Sequence, residues 1–177
     1  MEGSRGSRRN LALVGFMGAG KSTVGPLLAS RLGLTFVDLD ERIEAGAGMD
    51  IEEIFSREGE EGFRARESEA LRRELRGRGK VIACGGGIVL RRENVELLRD
   101  SCMVCYLDAD METLLRRLEG GEGRPLLRGG GLSRRVEELM EARREKYREA
   151  AHLVVDVGGK SAEEIAGEIA EAWKRYR

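Results

Sequence analysis

Gly15-Phe16-Met17-Gly18-Ala19-Gly20-Lys21-Ser22 has the residue types and spacing to hold the phosphates of a nucleotide. Two glycines separated by four residues are followed by Lys and then Ser. Glycines let the backbone curl until successive N–H groups face inward toward an anion. A helix starting directly after the loop adds partial positive charge at the same spot. Lys21 can reach the β- and γ-phosphates, and the Ser22 hydroxyl can ligate Mg²⁺. The alternative is a glycine-rich turn that binds nothing, but such a turn needs neither the Lys-Ser pair nor a strand before and a helix after it.

Other side chains with chemical potential lie where apolar runs end. Asp38-Leu39-Asp40 closes one such run. If extended geometry persists, residues two apart face the same side. One carboxylate could then serve Mg²⁺ and the other could bind or deprotonate a hydroxyl acceptor. The same pair also reads as a helix N-cap followed by a first-turn acid. Gly85-Gly86-Gly87 would allow a ligand close to the backbone. Tyr106-Leu107-Asp108 ends another run. Asp108 competes with Asp38 for the magnesium side and also suits a helix N-cap; spacing does not choose between them.

Arginine greatly outnumbers lysine, so context must single out the useful ones. Arg64 sits on a long helical segment beside Phe63, Arg124 directly precedes Pro125-Leu126-Leu127, and Arg143 lies one turn after Leu139. A guanidinium forks onto carboxylate or phosphate. Carried on a closing loop, it can also neutralise a transferring phosphoryl group. Surface ion pairs at helical spacing explain two of them equally well: Arg64 with Glu67 or Glu61, and Arg143 with Glu138 or Glu141. His152 begins an apolar run, which suits a strand edge. As the single histidine, it leaves no Ser–His or Cys–His pair for nucleophilic catalysis. Cys102 and Cys105 have metal-like spacing but no second pair, and on a strand they face opposite sides. With Cys84 they read as buried thiols of a reducing cytosol.

Strands and helices alternate along the chain. Expected strands are Leu11–Val14, Leu34–Asp38, Lys80–Cys84, Met103–Leu107 and Leu153–Val155. Expected helices run over Thr23–Leu32, from Asp38 to Glu44, Ile51–Phe55, Gly59–Arg76, Asn94–Leu98, Met111–Leu118, Ser133–Tyr147 with Ser133 as N-cap, and Ala162–Trp173 capped by Ser161. Apolar strands between helices predict a mainly parallel sheet covered on both faces, an α/β fold. Ligands of such sheets bind at the carboxyl ends of the strands, where the polar residues above are gathered.

The length of 177 residues suits one domain, read here as residues 10–177 after a polar tail over 1–9 that has no secretory character. The segment 119–131 is glycine-rich and reads as a lid. Net charge is −1, so no bulk attraction to nucleic acid or anionic lipid is expected. No apolar stretch is long enough to span a membrane.

Taken together in order, the loop through Thr23, Asp38-Leu39-Asp40, Gly62-Phe63-Arg64-Ala65-Arg66-Glu67, Gly85-Gly86-Gly87, Arg124-Pro125-Leu126-Leu127, and Arg143 with Tyr147 resemble the shikimate kinase family. The resemblance runs from about residue 11 to 157. It implies a three-layer P-loop kinase fold with a five-stranded parallel sheet in the order 2-3-1-4-5. It also implies ATP-dependent phosphorylation of the 3-hydroxyl of shikimate by a cytoplasmic, monomeric enzyme. By the same resemblance, Gly18, Ala19, Gly20, Lys21, Ser22 and Thr23 would bind the ATP phosphates, and Arg117 would lie against adenine. Ser22 and Asp38 would manage Mg²⁺, which decides for Asp38 over Asp108. Asp40 would hold the acceptor hydroxyls and help take a proton, while Arg64 and Arg143 would clamp the substrate carboxylate. Gly86 and Gly87 would offer backbone N–H groups, and Lys21 and Arg124 would stabilise charge in the transition state. The stretch Val157-Gly158-Gly159-Lys160 departs from the family's usual basic residue near the base. A related small-molecule kinase, such as a gluconate kinase, is the nearest alternative. A GTP-driven switch lacks its Asn-Lys-x-Asp motif here.

Overall fold

The computed structural model describes residues 9–118 and 132–176. The apolar runs form five strands: β1 Asn10–Val14, β2 Thr35–Asp38, β3 Lys80–Ala83, β4 Cys102–Asp108 and β5 Leu153–Asp156. They pair in parallel in the order β2-β3-β1-β4-β5, as the resemblance implies. β1 is buried along its whole length at the centre, with Leu13 beside Ala83 on one side and Cys105 on the other. A strand covered on both faces needs apolar residues throughout, and Leu11-Ala12-Leu13-Val14 supplies them.

The helices are α1 Lys21–Leu32, α2 Leu39–Ala47, α3 Ile51–Leu75, α4 Arg92–Ser101, α5 Met111–Leu118, α6 Leu132–Ala150 and α7 Ala162–Arg175. α1 packs on α7, while α4 packs on β4 and α6. Gly25 explains how α1 lies so close to the sheet edge. A Cβ there would stand 2.3 Å from the Phe36 ring.

Starts and stops follow local chemistry, with some revisions of the expected boundaries. Asp50 and Ser161 cap α3 and α7 by accepting from Glu53 N at 2.8 Å and Glu164 N at 3.1 Å. α5 is capped by Asp110, which accepts from Thr113 N at 2.7 Å, and not by Asp108. The chain needs two residues beyond β4 to turn before the helix can begin. α6 starts at Leu132, so Ser133 lies inside its first turn instead of capping it. The two helical pieces expected over 51–76 join into α3 across a kink at Gly59 (φ 72°, ψ −178°), a conformation open to glycine. After the glycine run a 3-10 turn, Ile88–Leu90, forms where no helical start was expected. The expected N-terminal tail, apart from Arg9, and the expected lid 119–131 with Arg124 lie outside the described residues.

His152 has the structural role expected of a strand edge. Its backbone N donates to Val104 O at 2.8 Å, and its Nδ1 accepts from Val104 N at 3.0 Å. Burial, with Arg99 and Arg9 adding to it, holds the imidazole below its ordinary value. The unfolded ring therefore takes up a proton at a higher pH than the folded one. The stabilisation is complete above the unfolded value and is lost as pH falls through the folded one. His152→Ala should lower stability by about 1 kcal/mol at pH 7.5, the worth of one hydrogen bond. Urea titrations should show the gap between parent and variant narrowing as pH falls below the ordinary histidine value. A gap that stays constant with pH would contradict the assignment.

Candidate active site

The loop between β1 and α1 turns at Gly15, Gly18 and Gly20, with φ of 149°, 86° and 105°. Gly15 has no room for a side chain, since a Cβ would stand 2.8 Å from Leu107 O at the end of β4. Gly20 precedes α1 and offers no side-chain cap, so the first turn of α1 faces the loop. Lys21 is buried, and its Nζ donates to Gly15 O and to Phe16 O, the latter at 3.0 Å. Arg117 reaches across from α5 and donates to Gly18 O at 3.0 Å. A cavity of about 420 Å³ opens here. The loop from Met17 to Thr23, Asp38, Asp40, Gly85, Gly86 and Arg117 are all in its lining.

Asp38 satisfies both of its sequence readings. Its Oδ1 caps α2 by accepting from Asp40 N at 3.0 Å and Glu41 N at 3.4 Å. Its Oδ2 accepts from the Ser22 hydroxyl at 3.1 Å. Helix capping thus fixes the carboxylate that meets the phosphate loop. Asp108 instead accepts from the Tyr106 hydroxyl at 3.2 Å and is aligned with Asp156 of β5. Asp40 reaches the cavity by a different route from the one expected. The strand ends at Asp38, and Asp40 sits in the first turn of α2, so helical rather than extended geometry brings it to the cavity. Ser22 and Asp38 are hard oxygen donors beside the phosphate loop. Among the described residues, no group of three or more His, Cys, Asp or Glu could hold a metal. A cation at Ser22 and Asp38 would therefore complete its shell with phosphate oxygens and water, as suits Mg²⁺.

A second polar group lies beyond Gly85. A Cβ at Gly85 would stand 3.0 Å from Asp40 Oδ1 and 2.9 Å from Glu67 Oε2, so the missing side chain leaves the space between two carboxylates. Glu67 is fully buried; its Oε1 meets Arg64 Nη1 at 3.0 Å, and its Oε2 has no hydrogen-bond partner among the described residues. Burial pushes the Glu67 carboxyl up, Arg64 opposes this, and Asp40 adds to the rise. Arg64 also meets Glu60 at 3.5 Å, whereas Glu61, its other expected partner, pairs with Arg91. Gly87 lies against the Arg64 guanidinium, because a Cβ there would stand 2.2 Å from Nη1.

Arg143 does not make the expected surface pairs. It is buried on α6, while Glu138 pairs with Arg134 at 3.1 Å. Its Nη1 is buried without a hydrogen-bond partner among the described residues and stands 3.5 Å from where a Gly86 Cβ would be. The guanidinium carbon lies 5.9 Å from the centre of the Phe16 ring. A buried cationic donor left unmatched is costly unless a ligand completes it. Arg64, Arg143, Gly86 and Gly87 are thus brought together, as are Gly18 to Thr23 with Asp38 and Asp40. Tyr147, one turn after Arg143, donates its hydroxyl to Gly86 O. Neither this contact nor the burial of Glu67 was legible from spacing, although both residues stand in the motifs quoted above. The three thiols are buried and free, and burial raises all of them, Cys102 to about 12.

The shikimate kinase family model matches residues 17–174 of the chain. A shikimate kinase of Symbiobacterium thermophilum is 48% identical over 164 residues, covering 92% of this chain and 94% of its own. A shikimate kinase of Geobacter sulfurreducens is 48% identical over 162 residues, covering 92% and 89%. The solved structure of the shikimate kinase from Acinetobacter baumannii in complex with shikimate superposes with a TM-score of 0.93. It shares 36% identity and covers 96% of this chain and 95% of its own. With a phosphate loop, a capped carboxylate at its serine and a buried arginine pocket beside it, the chain belongs to the shikimate kinase family.

Proposed function

We propose that the protein transfers the γ-phosphoryl group of ATP to the 3-hydroxyl of shikimate, giving ADP and 3-phosphoshikimate. One observation carries the choice of acceptor. The buried Arg143 Nη1, without a hydrogen-bond partner among the described residues, stands with Arg64 beside Gly86 and Gly87, in reach of the phosphate loop. This pocket suits a small carboxylate whose hydroxyls extend toward Asp40. A neutral polyol or a nucleoside would leave the guanidinium groups unmatched.

In this reading the loop N–H groups from Gly18 to Thr23 and the first turn of α1 hold the phosphates of ATP. Lys21 exchanges its contacts to loop carbonyls for phosphate oxygens. Ser22 Oγ and Asp38 Oδ2 would hold Mg²⁺, which when bound neutralises charge on the phosphate oxygens. Arg117 borders the nucleotide end. Arg64 and Arg143 take the shikimate carboxylate, and the N–H groups of Gly86 and Gly87 face the same ligand. Asp40 accepts a hydrogen bond from the 3-hydroxyl and takes its proton as the O–P bond forms and the bond to the ADP oxygen breaks. Arg124, on the segment 119–131, would close over the reacting phosphoryl group with Lys21 and exclude water. Three buried free thiols suit a protein working in the reducing cytoplasm.

A coupled assay of ADP release should show turnover with shikimate far above that with gluconate or nucleoside monophosphates. Preference for either rival acceptor would refute the proposal. Asp40→Asn should lower kcat at least ~100-fold with little change in the ATP KM, as expected for loss of a base or hydroxyl-orienting group. Near-normal turnover would remove Asp40 from that role. Gly87→Ala should push the Arg64 guanidinium away and raise the shikimate KM about tenfold or more, leaving the ATP KM unchanged. An equal rise in both constants would instead indicate general disorder of the sheet end.

A further inference from the structure

Gly85-Gly86-Gly87 poses a physical problem for a site that needs fixed N–H groups. Ile88 N donates to Gly85 O at 3.1 Å and closes a turn over the run, but the central peptide of such a turn, flanked by two glycines, can still flip. The restraint comes from α6. The Tyr147 hydroxyl donates to Gly86 O across 61 positions of sequence. In a trans peptide the C=O of one residue and the N–H of the next point in opposite directions. Holding Gly86 O at Tyr147 therefore sets the direction of the Gly87 N–H. Gly86 has Arg143 on one side and Gly87 has Arg64 on the other.

Tyr147 is well fixed for such a task. It is 1% exposed, and its ring stacks on Tyr106 of β4 with centroids 5.1 Å apart. The Tyr106 hydroxyl is turned away to Asp108. Burial pushes the Tyr147 phenol up to about 12, so it remains a neutral donor throughout the working range. We infer that Tyr147 is a positioning residue that locks the Gly86–Gly87 peptide with the Gly87 N–H turned into the pocket between Arg64 and Arg143. The inference rests on the reading of that pocket as the carboxylate site of the acceptor. It makes α6 the carrier of two linked parts: Arg143, which meets the ligand, and Tyr147, which orients a backbone donor for the same ligand.

Tyr147→Phe tests this, because it keeps the ring, the stacking and the burial while removing the hydroxyl; that hydroxyl also meets Arg143, and the response of the Gly87 amide separates loss of the peptide lock from loss of that contact. The shikimate KM should rise about tenfold, the ATP KM should stay unchanged, and kcat should fall less than about threefold. Tyr106→Phe removes a hydroxyl from the same stack but leaves Gly86 O bonded, so it should keep the parent shikimate KM. In ¹⁵N-labelled protein, the Gly87 amide should shift on titration of the parent with shikimate and respond less in Tyr147→Phe. An unchanged shikimate KM in Tyr147→Phe overturns the inference. So does an equal rise in Tyr106→Phe, or a parallel rise in the ATP KM, since any of these marks general packing rather than the peptide lock. If the parent itself does not turn over shikimate, it is the reading of the pocket that fails.

Discussion

Two guanidinium groups and one carboxylate share the buried space beside the glycine run. Arg64 meets Glu67 there, while Arg143 keeps a buried Nη1 without a hydrogen-bond partner among the described residues. Burying a cationic donor with its hydrogen bond unmade is among the more costly things a fold can do. The surrounding elements are arranged to hold that donor. α3 brings Arg64 and Glu67, α6 brings Arg143 and Tyr147, and the end of β3 contributes three glycines, of which Gly87 leaves room for Arg64 and Gly85 for the carboxylates of Asp40 and Glu67. An anion entering the pocket would complete the unmade bond and so be bound in one orientation.

The two halves of the site meet through short, local devices. Asp38 uses one oxygen to cap α2 and the other to meet Ser22. The cap places Asp40 in the first helical turn, where it lines the same cavity as the phosphate loop. Gly85 separates Asp40 from Glu67 by the width of a missing side chain. Burial pushes the Glu67 carboxyl up, and Asp40 is close enough to add to the rise, while Arg64 opposes it. The phosphate-loop cavity and the arginine pocket thus meet at Asp40 and Gly85, at the carboxyl ends of β2 and β3.

Legibility in the sequence follows range. The loop from Gly15 to Ser22 is legible because its geometry is local: strand, glycines, Lys and helix start stand in one string. The sheet order is likewise implied by the ordered motifs, and the structure has it. Asp108 was ambiguous because an acid after a strand serves a cap, a metal or a neighbouring hydroxyl equally well; tertiary packing gave it to Tyr106. Glu138 and Glu141, five and two residues before Arg143, are off the three- and four-residue spacing of facing pairs, and Arg143 instead lies on the buried face of α6. Tyr147 was the least accessible, since its partner lies on another element and is a backbone carbonyl that carries no side-chain signal.

The central claim is that the buried arginine pocket exists for a carboxylate. Titration calorimetry comparing shikimate with its methyl ester tests this most directly, because esterification removes that charge and adds only a methyl group. Loss of two charge-assisted contacts should weaken binding of the ester about 100-fold or more. Equal affinity for acid and ester would contradict the account.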